Sequence, residues 1–211
     1  MSNLPEFLPT FDAAEREYLE AWTNTAHTRF ELPPVNVNKT LRDRYRLRPE
    51  RALTRTMMWD METKKAWNPK TYIPYVVSEG RSWGRSRLPD GERFCRSSMQ
   101  RGWITPEQGR VLEEVYISHE KQSIFFLGRA RMTDESGKEL RASDFQPLFH
   151  VEHGVGGAED EPLNLWSIVL LTSHEDTRYH EPFKEMVLSG LLPGFIEIYI
   201  ERDLGVQLSW S

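Results

Sequence analysis

Leu163-Asn164-Leu165-Trp166-Ser167-Ile168-Val169-Leu170-Leu171 is an apolar run of strand length, and it gives way to polar residues at Ser173–Asp176. A helical pattern follows, from Pro182 to Leu204. A strand with apolar residues on both faces is covered on both faces. An amphipathic helix joined to it turns its apolar stripe to the same core. This stretch therefore predicts a core strand and its covering helix, which closes one side of a curved sheet with the expected site in the space between. The helix itself divides. Phe183, Met186 and Val187 precede Gly190-Leu191-Leu192-Pro193-Gly194, and Phe195, Ile196 and Tyr199 follow it. Proline and glycine interrupt a helix, so two segments are predicted. Their joint would sit over the mouth of a pocket, with Leu191 and Leu192 at its border.

Upstream, Tyr18, Leu19 and Trp22 give residues 13–22 a helical stripe, with Thr10 or Asp12 as cap. Pro33-Pro34 forces residues 30–38 into an extended strap. Residues 42–48 interleave arginines with Asp43, Tyr45 and Leu47. They read as a solvated turn or short helix with Leu41, Tyr45 and Leu47 facing inward, in preference to a phosphate grip. Residues 52–59 read as a first strand, and 60–67 as a short helix capped by Asp60 and stopped before Pro69.

Extended segments follow at 72–77 and 81–87. Leu88-Pro89-Asp90-Gly91 is a turn, and 92–103 is a strand of mixed polarity. Residues 105–121 admit two readings. Thr105-Pro106-Glu107-Gln108 opens like a helix. Val111, Val115, Ile117 and the run Ile124-Phe125-Phe126-Leu127 favour a hairpin of 110–117 with 122–131, which is the preferred reading. A polar turn at 133–138 leads into a strand from Leu140 to His153, interrupted at Pro147. Gly154-Val155-Gly156-Gly157 reads as a flexible loop.

The chain has 211 residues, enough for one large domain or for a domain with an N-terminal extension. The expected division is an N-terminal arm, 1–50, with one helix and the proline-rich strap, and a single α+β ligand-binding-type domain, 51–211. Cys95 is the one cysteine, which excludes an internal disulfide framework and any cysteine-based zinc site. No apolar run approaches the roughly 18 residues of a membrane span. Met1-Ser2-Asn3-Leu4-Pro5-Glu6 lacks the basic and apolar regions of a signal peptide. A net charge of −5 speaks against nucleic acid as a partner. The expectation is a cytoplasmic protein with no membrane and no nucleic-acid partner. Seven tryptophans suit a pocket for a flat or greasy ligand as well as a core.

Strands joined by short polar turns and closed by a C-terminal helix describe an antiparallel sheet with helices on one face. This order, with 52–59, 60–67, the strands between Tyr72 and Leu171, and the helix from Pro182 to Leu204, resembles the helix-grip domains of the START and Bet v 1 type. The resemblance covers about three quarters of the chain, excludes the first 50 residues and rests on element order without a residue motif. It implies an α+β fold in which a curved antiparallel sheet of about six to seven strands packs on a C-terminal helix. It also implies a hydrophobic small molecule as partner and, in some such domains, aromatase, cyclase or dehydratase activity.

Phe149-His150-Val151-Glu152-His153 is the stretch richest in chemical groups. On a strand His150 and Glu152 share one face, an acid–base pair or two ligands of a divalent metal, and His153 takes the other. Burial of His153 among apolar neighbours would keep it a neutral base. Arg96 shares a strand face with Phe94 and Ser98, suited to orienting a carboxylate or enolate oxygen. Asp60 and Glu62 read as helix-start residues without an assigned role.

The candidate catalytic set is His150, Glu152, His153 and Arg96. The candidate pocket set is Trp59, Phe94, Tyr116, Trp166, Leu191, Leu192, Phe195 and Tyr199. Neither a cofactor nor a metal is expected. The reading these support is a domain that binds a hydrophobic or aromatic small molecule, with cofactor-free cyclisation, dehydration or isomerisation as its chemistry. Two alternatives stay open. One is a metal-dependent enzyme using the His/Glu cluster on a β-barrel, and the other is a non-catalytic homodimeric module in which the strap and Trp210 cover a partner.

Overall fold

The computed structural model describes residues 7–189 and 194–211. In chain order these form α1 (Phe11–Thr23), β1 (Thr28–Glu31), β2 (Val35–Asn36), α2 (Val37–Arg44), β3 (Tyr45–Arg48), α3 (Arg55–Trp67) and α4 (Pro69–Tyr72). Then come β4 (Val77–Leu88), β5 (Gly91–Arg101), β6 (Gln108–Ser118), β7 (Ser123–Gly128), β8 (Arg131–Thr133), β9 (Glu139–Arg141), β10 (Phe149–Gly157) and β11 (Pro162–Leu170). A 3-10 turn over Thr177–Tyr179, α5 (His180–Ser189), α6 (Gly194–Arg202) and β12 (Gln207–Trp210) complete the order.

One open antiparallel sheet runs β1-β11-β10-β7-β6-β5-β4, and β2 also pairs with β11. The expected core strand is β11. Ile168, Val169 and Leu170 are each fully buried, so both of its faces are covered, as its continuous apolar run requires. The tight turn places Leu88 opposite Gly91, and the hairpin reading of 110–131 holds as β6 and β7. Two helices, α5 and α6, stand where two segments were expected; Leu191 and Leu192 lie outside the described residues. The curved antiparallel sheet with helices against its inner face is the architecture implied by the helix-grip resemblance.

The first strand is not at 52–59. Thr54 accepts a hydrogen bond from the Met57 amide at 3.1 Å, and a 13-residue helix starts at Arg55 and runs through Asp60 to Trp67. Asp60 is therefore mid-helix and not a cap. Met58, Met61, Glu62, Lys65 and Ala66 are the buried face of a helix, at a helical spacing. The expected strap supplies two edge segments, with Phe30 opposite Ile168 and Val35 opposite Asn164. The strand expected from Leu140 to His153 is broken into β9 and β10 by residues 142–148. The glycine loop is the end of β10, with Val155 opposite Asn164 and Gly157 opposite Pro162.

Strand alternation sorts the side chains into two layers. Inward lie Phe94, Val115, Ile124, Phe126, Phe149, Val151, Ile168 and Leu170, packed with Ala66 of α3, Tyr179 of the 3-10 turn and Phe183 of α5. Outward lie Tyr116, Phe125, Leu127 and Val169, covered by Phe11, Ala14, Tyr18 and Ala21 of α1. Helix α1 starts where Asp90 of the β4–β5 turn accepts from the Phe11 and Asp12 amides at 2.8 and 3.0 Å, which satisfies two donors of the helix start. At the far end of the outer face Met132 and Leu140 of the β8–β9 hairpin pack on Trp83, Cys95 and Leu112. Helix α6 rests on the α3 side through Ile196, Tyr199 and Ile200, which cluster with Met58, Met61 and Val155. No helix among the described residues is long and apolar enough to cross a membrane.

Candidate functional site

Between the inner face of the sheet and the helices is a cavity of about 730 Å³, within the size range of small-molecule sites. Its apolar wall is aromatic. Trp103, Trp166, Phe149 and Phe126 line it together with Ile104 and Val151, and the Trp103 ring lies 5.9 Å from Trp166 and 5.6 Å from Phe149, with Phe183 behind it at 5.1 Å. The rim is made by exposed Tyr75, Arg101, Pro106 and Glu185, so the opening lies among the α4–β4 connection, the β5–β6 loop and α5.

The floor is charged and closed on itself. Arg96 of β5 sits directly opposite Glu113 of β6 and donates to it through Nε at 2.8 Å and Nη2 at 2.7 Å. Its Nη1 donates to the Ala66 carbonyl at 3.1 Å, and its guanidinium lies 4.5 Å from the centre of the Phe126 ring. All three Arg96 nitrogens are thus engaged.

Beside it, Glu62 is fully buried and receives three donors. They are Lys65 Nζ at 2.6 Å, Asn164 Nδ2 at 2.8 Å and His153 Nδ1 at 3.0 Å. Burial pushes the Glu62 carboxyl up, but Lys65 and His153 outweigh it and bring the group down to about 2. For His153 the balance runs the other way: burial, reinforced by the Lys65 charge, lowers the imidazole to about 4 against the pull of Glu62.

These two states define a tautomer. Ionised Glu62 can only accept, so the neutral imidazole must donate from Nδ1, and its lone pair stands on Nε2. Nε2 has no partner among the described residues. The arrangement is an oriented base held by a carboxylate at the wall of an aromatic cavity, and it suits proton transfer or acceptance of a hydrogen bond from a bound molecule.

Of the expected catalytic set, His153 and Arg96 line this cavity and are brought together there. His150 and Glu152 point to the opposite face and do not bond to each other. His150 Nδ1 accepts from the Gly128 amide at 3.1 Å, and its Nε2 is 3.5 Å from Glu17 of α1. Glu152 accepts from Ser123 and Ser167 at 3.2 and 3.4 Å. Both lie under α1.

Of the pocket set, Trp166 lines the cavity. Phe94 is in the adjoining core, edge-on to Trp67 at 5.0 Å. Trp59 donates to His119 of the β6–β7 turn at 3.1 Å, and Tyr116 is on the outer face, donating to Glu114 at 3.0 Å. Tyr199 donates to Asp60 at 2.8 Å at the α3–α6 contact. The side chain of Phe195, like Leu191 and Leu192, lies outside the described residues. Among the described residues no three His, Cys, Asp or Glu side chains are grouped to hold a metal, so the His150/Glu152 pair has no third ligand.

Sequence reading missed Glu62, Lys65, Trp103 and Glu113. The signal for the first two was a charged pair at i and i+3 on the apolar stripe of Met58, Met61 and Ala66.

No family model and no curated protein matches the sequence. In structure the chain is similar to ginseng major latex-like protein 151 from Panax ginseng, with a TM-score of 0.46 and 12% identity over 79% of this chain and 95% of that one. It is likewise similar to the Zhui aromatase/cyclase of Streptomyces sp. R1128, with a TM-score of 0.48 and 9% identity over 83% of this chain and 95% of that one.

Proposed function

We propose that this protein encloses a hydrophobic or aromatic small molecule in the cavity and moves a proton on it without a cofactor, with His153 as the base. The observation that carries the reading is the His153–Glu62 pair at the wall of an aromatic cavity. Nε2 would take a proton from a carbon next to a carbonyl, the electron pair would pass to the carbonyl oxygen as an enolate, and the proton would return to carbon or oxygen. A base lowered to about 4 is fully unprotonated at neutral pH but weak. It therefore matches a carbon already acidified by two carbonyls better than an ordinary ketone. Glu62, 3.0 Å from Nδ1, supports the transient imidazolium.

The test is keto–enol relaxation of benzoylacetone, followed by ultraviolet absorbance, with binding measured separately by saturation-transfer NMR. Wild type is expected to bind the diketone and accelerate its relaxation. His153→Gln is expected to bind it and leave the rate at the buffer value. Binding without acceleration by wild type would reduce the function to a carrier's, and absence of binding would remove the reading altogether.

A further inference from the structure

His153, Gln100 and Glu113 line the cavity, and each presents a hydrogen-bond acceptor that has no partner among the described residues. His153 is bonded through Nδ1, which leaves Nε2. Gln100 is bonded through Nε2, which donates to Ser98 Oγ at 2.9 Å and leaves Oε1. Glu113 takes both Arg96 bonds on Oε2 and leaves Oε1. Strand alternation turns all three inward. Gln100 follows Phe94, Arg96 and Ser98 on one face of β5, Glu113 lies opposite Arg96 on β6, and His153 follows Val151 on β10.

The three acceptors are also within reach of a bound molecule. Among the described residues the unpartnered side-chain atoms sealed from solvent are Trp103 Nε1, Trp166 Nε1, Thr105 Oγ1, Gln146 Nε2 and Ser86 Oγ. None of the acceptors is one of these, so each keeps accessible surface on a residue of the cavity wall. The donors of the same wall are already engaged. Arg96 has all three nitrogens bonded, and Lys65 Nζ donates to Glu62 at 2.6 Å. Acceptors left unmet in a largely apolar cavity are completed by a molecule that brings O–H or N–H groups.

Charge narrows the class. An ionised carboxylate only accepts, so it would leave the three acceptors unmet and set a second anion beside Glu113. An ammonium would lose its hydration beside Arg96 and Lys65, cations already matched by Glu113 and Glu62. A neutral hydroxyl meets neither obstacle, and the aromatic wall favours a ring to carry it.

We infer that Gln100 and Glu113 are specificity-determining residues, which together with His153 select a neutral hydroxyaryl molecule by the hydrogen bonds that it donates. This rests on the proposed function in that the cavity holds the ligand, and it is independent of whether His153 transfers a proton.

Four naphthalenes separate the possibilities: 2,7-dihydroxynaphthalene, its dimethyl ether, methyl naphthyl ketone and naphthoate. Affinities are read from chemical-shift titrations of isotope-labelled protein. The diol is expected to bind roughly tenfold tighter than the diether, the worth of hydrogen bonds to acceptors otherwise unmet. The Gln100 side-chain amide and the Glu113 side-chain carboxyl carbon should move with the diol and stay in place with the diether. Gln100→Leu should narrow the gap by weakening the diol alone, an effect that a merely structural role would not produce. The wild-type comparison decides even if that variant fails to fold. Equal binding of diol and diether would overturn the inference and leave an apolar cavity in place. Preference for the ketone would overturn it by showing that the wall presents donors, and preference for naphthoate would overturn it in favour of an anion held by Arg101 at the rim. Failure of all four to bind would remove both the inference and the proposed function.

Discussion

His153 Nδ1 lies 3.0 Å from Glu62 Oε2 and ties β10 to a helix 91 residues away in sequence. Through this contact and Asn164 on β11, one buried carboxylate fixes α3 against two neighbouring strands at the cavity floor. Stability and site geometry are therefore coupled at Glu62.

Glu62→Ala is expected to destabilise the protein by about 3–5 kcal/mol, because it leaves the Lys65 charge buried without its carboxylate. The double change Glu62→Leu with Lys65→Met removes both charges and should recover most of that loss. Urea unfolding of the two variants against wild type checks this. A double variant no better than Glu62→Ala would mean that the Asn164 and His153 contacts, and not the charge pair, carry the energy.

Stability should fall as pH falls from 6.5 to 4. Burial depresses both His153 and His150 to about 4 from an ordinary 6.5. Between these limits the unfolded chain binds more protons than the folded one, so the stabilisation is complete above 6.5 and lost toward 4. Each histidine contributes a slope of up to about 1.4 kcal/mol per pH unit. Glu62, lowered to about 2, adds loss of the same sign below 4.5, whereas Glu152, raised by burial, works in the opposite sense above its ordinary carboxylate value. Urea midpoints at pH 7 and pH 5 should differ, and His150→Gln or His153→Gln should each remove part of the difference. A flat wild-type profile would contradict the burial of the imidazoles.

On the outer face two cations hold α1, and they should differ in worth. Arg129 bonds to Glu17 of α1 and to Glu114 at 2.9 Å, and the Glu114 side chain is only 6% exposed. Lys121 pairs with Asp12 and Glu15, with 45% of its own side chain exposed. Arg129→Met strands a buried carboxylate and should cost about 3 kcal/mol or more. Lys121→Met should cost no more than about 1 kcal/mol. Comparable losses in thermal unfolding would place the hold on α1 elsewhere.

Gly128→Ala should be costly and Gly154→Ala mild. A Cβ on Gly128 would stand 2.3 Å from the Phe149 carbonyl oxygen, a backbone atom that cannot turn aside. The nearest atom to a Cβ on Gly154 is a Leu165 side-chain carbon at 3.6 Å, an ordinary contact. The first variant is expected to lose about 1–3 kcal/mol, as overpacked sites do, and to disturb His150, which accepts from the Gly128 amide. Equal unfolding midpoints would show that β7 and β10 can separate at no cost.

The sequence by itself determined the local framework. Pro89-Asp90 sets the β4–β5 turn, and the period-2 pattern puts Phe94, Arg96 and Ser98 on one face of β5. The C-terminal helical pattern reads as two segments, and two helices, α5 and α6, stand there. It also determined that His150 and Glu152 oppose His153, since adjacent strand positions face opposite ways.

Only the tertiary structure decided which face matters. Alternation is symmetric, and nothing local says that α1 covers the His150 side while α3 and the aromatic cavity take the His153 side. The same holds for α3. Read locally, residues 52–59 pass for a first strand. In the folded chain the Thr54 cap and a buried face of Met58, Met61, Glu62, Lys65 and Ala66 make a helix. Glu62 reads as an ordinary helix carboxylate until His153 and Asn164 arrive from strands about a hundred residues later. A hydrogen-bonded charge network depends on distances that sequence spacing does not encode.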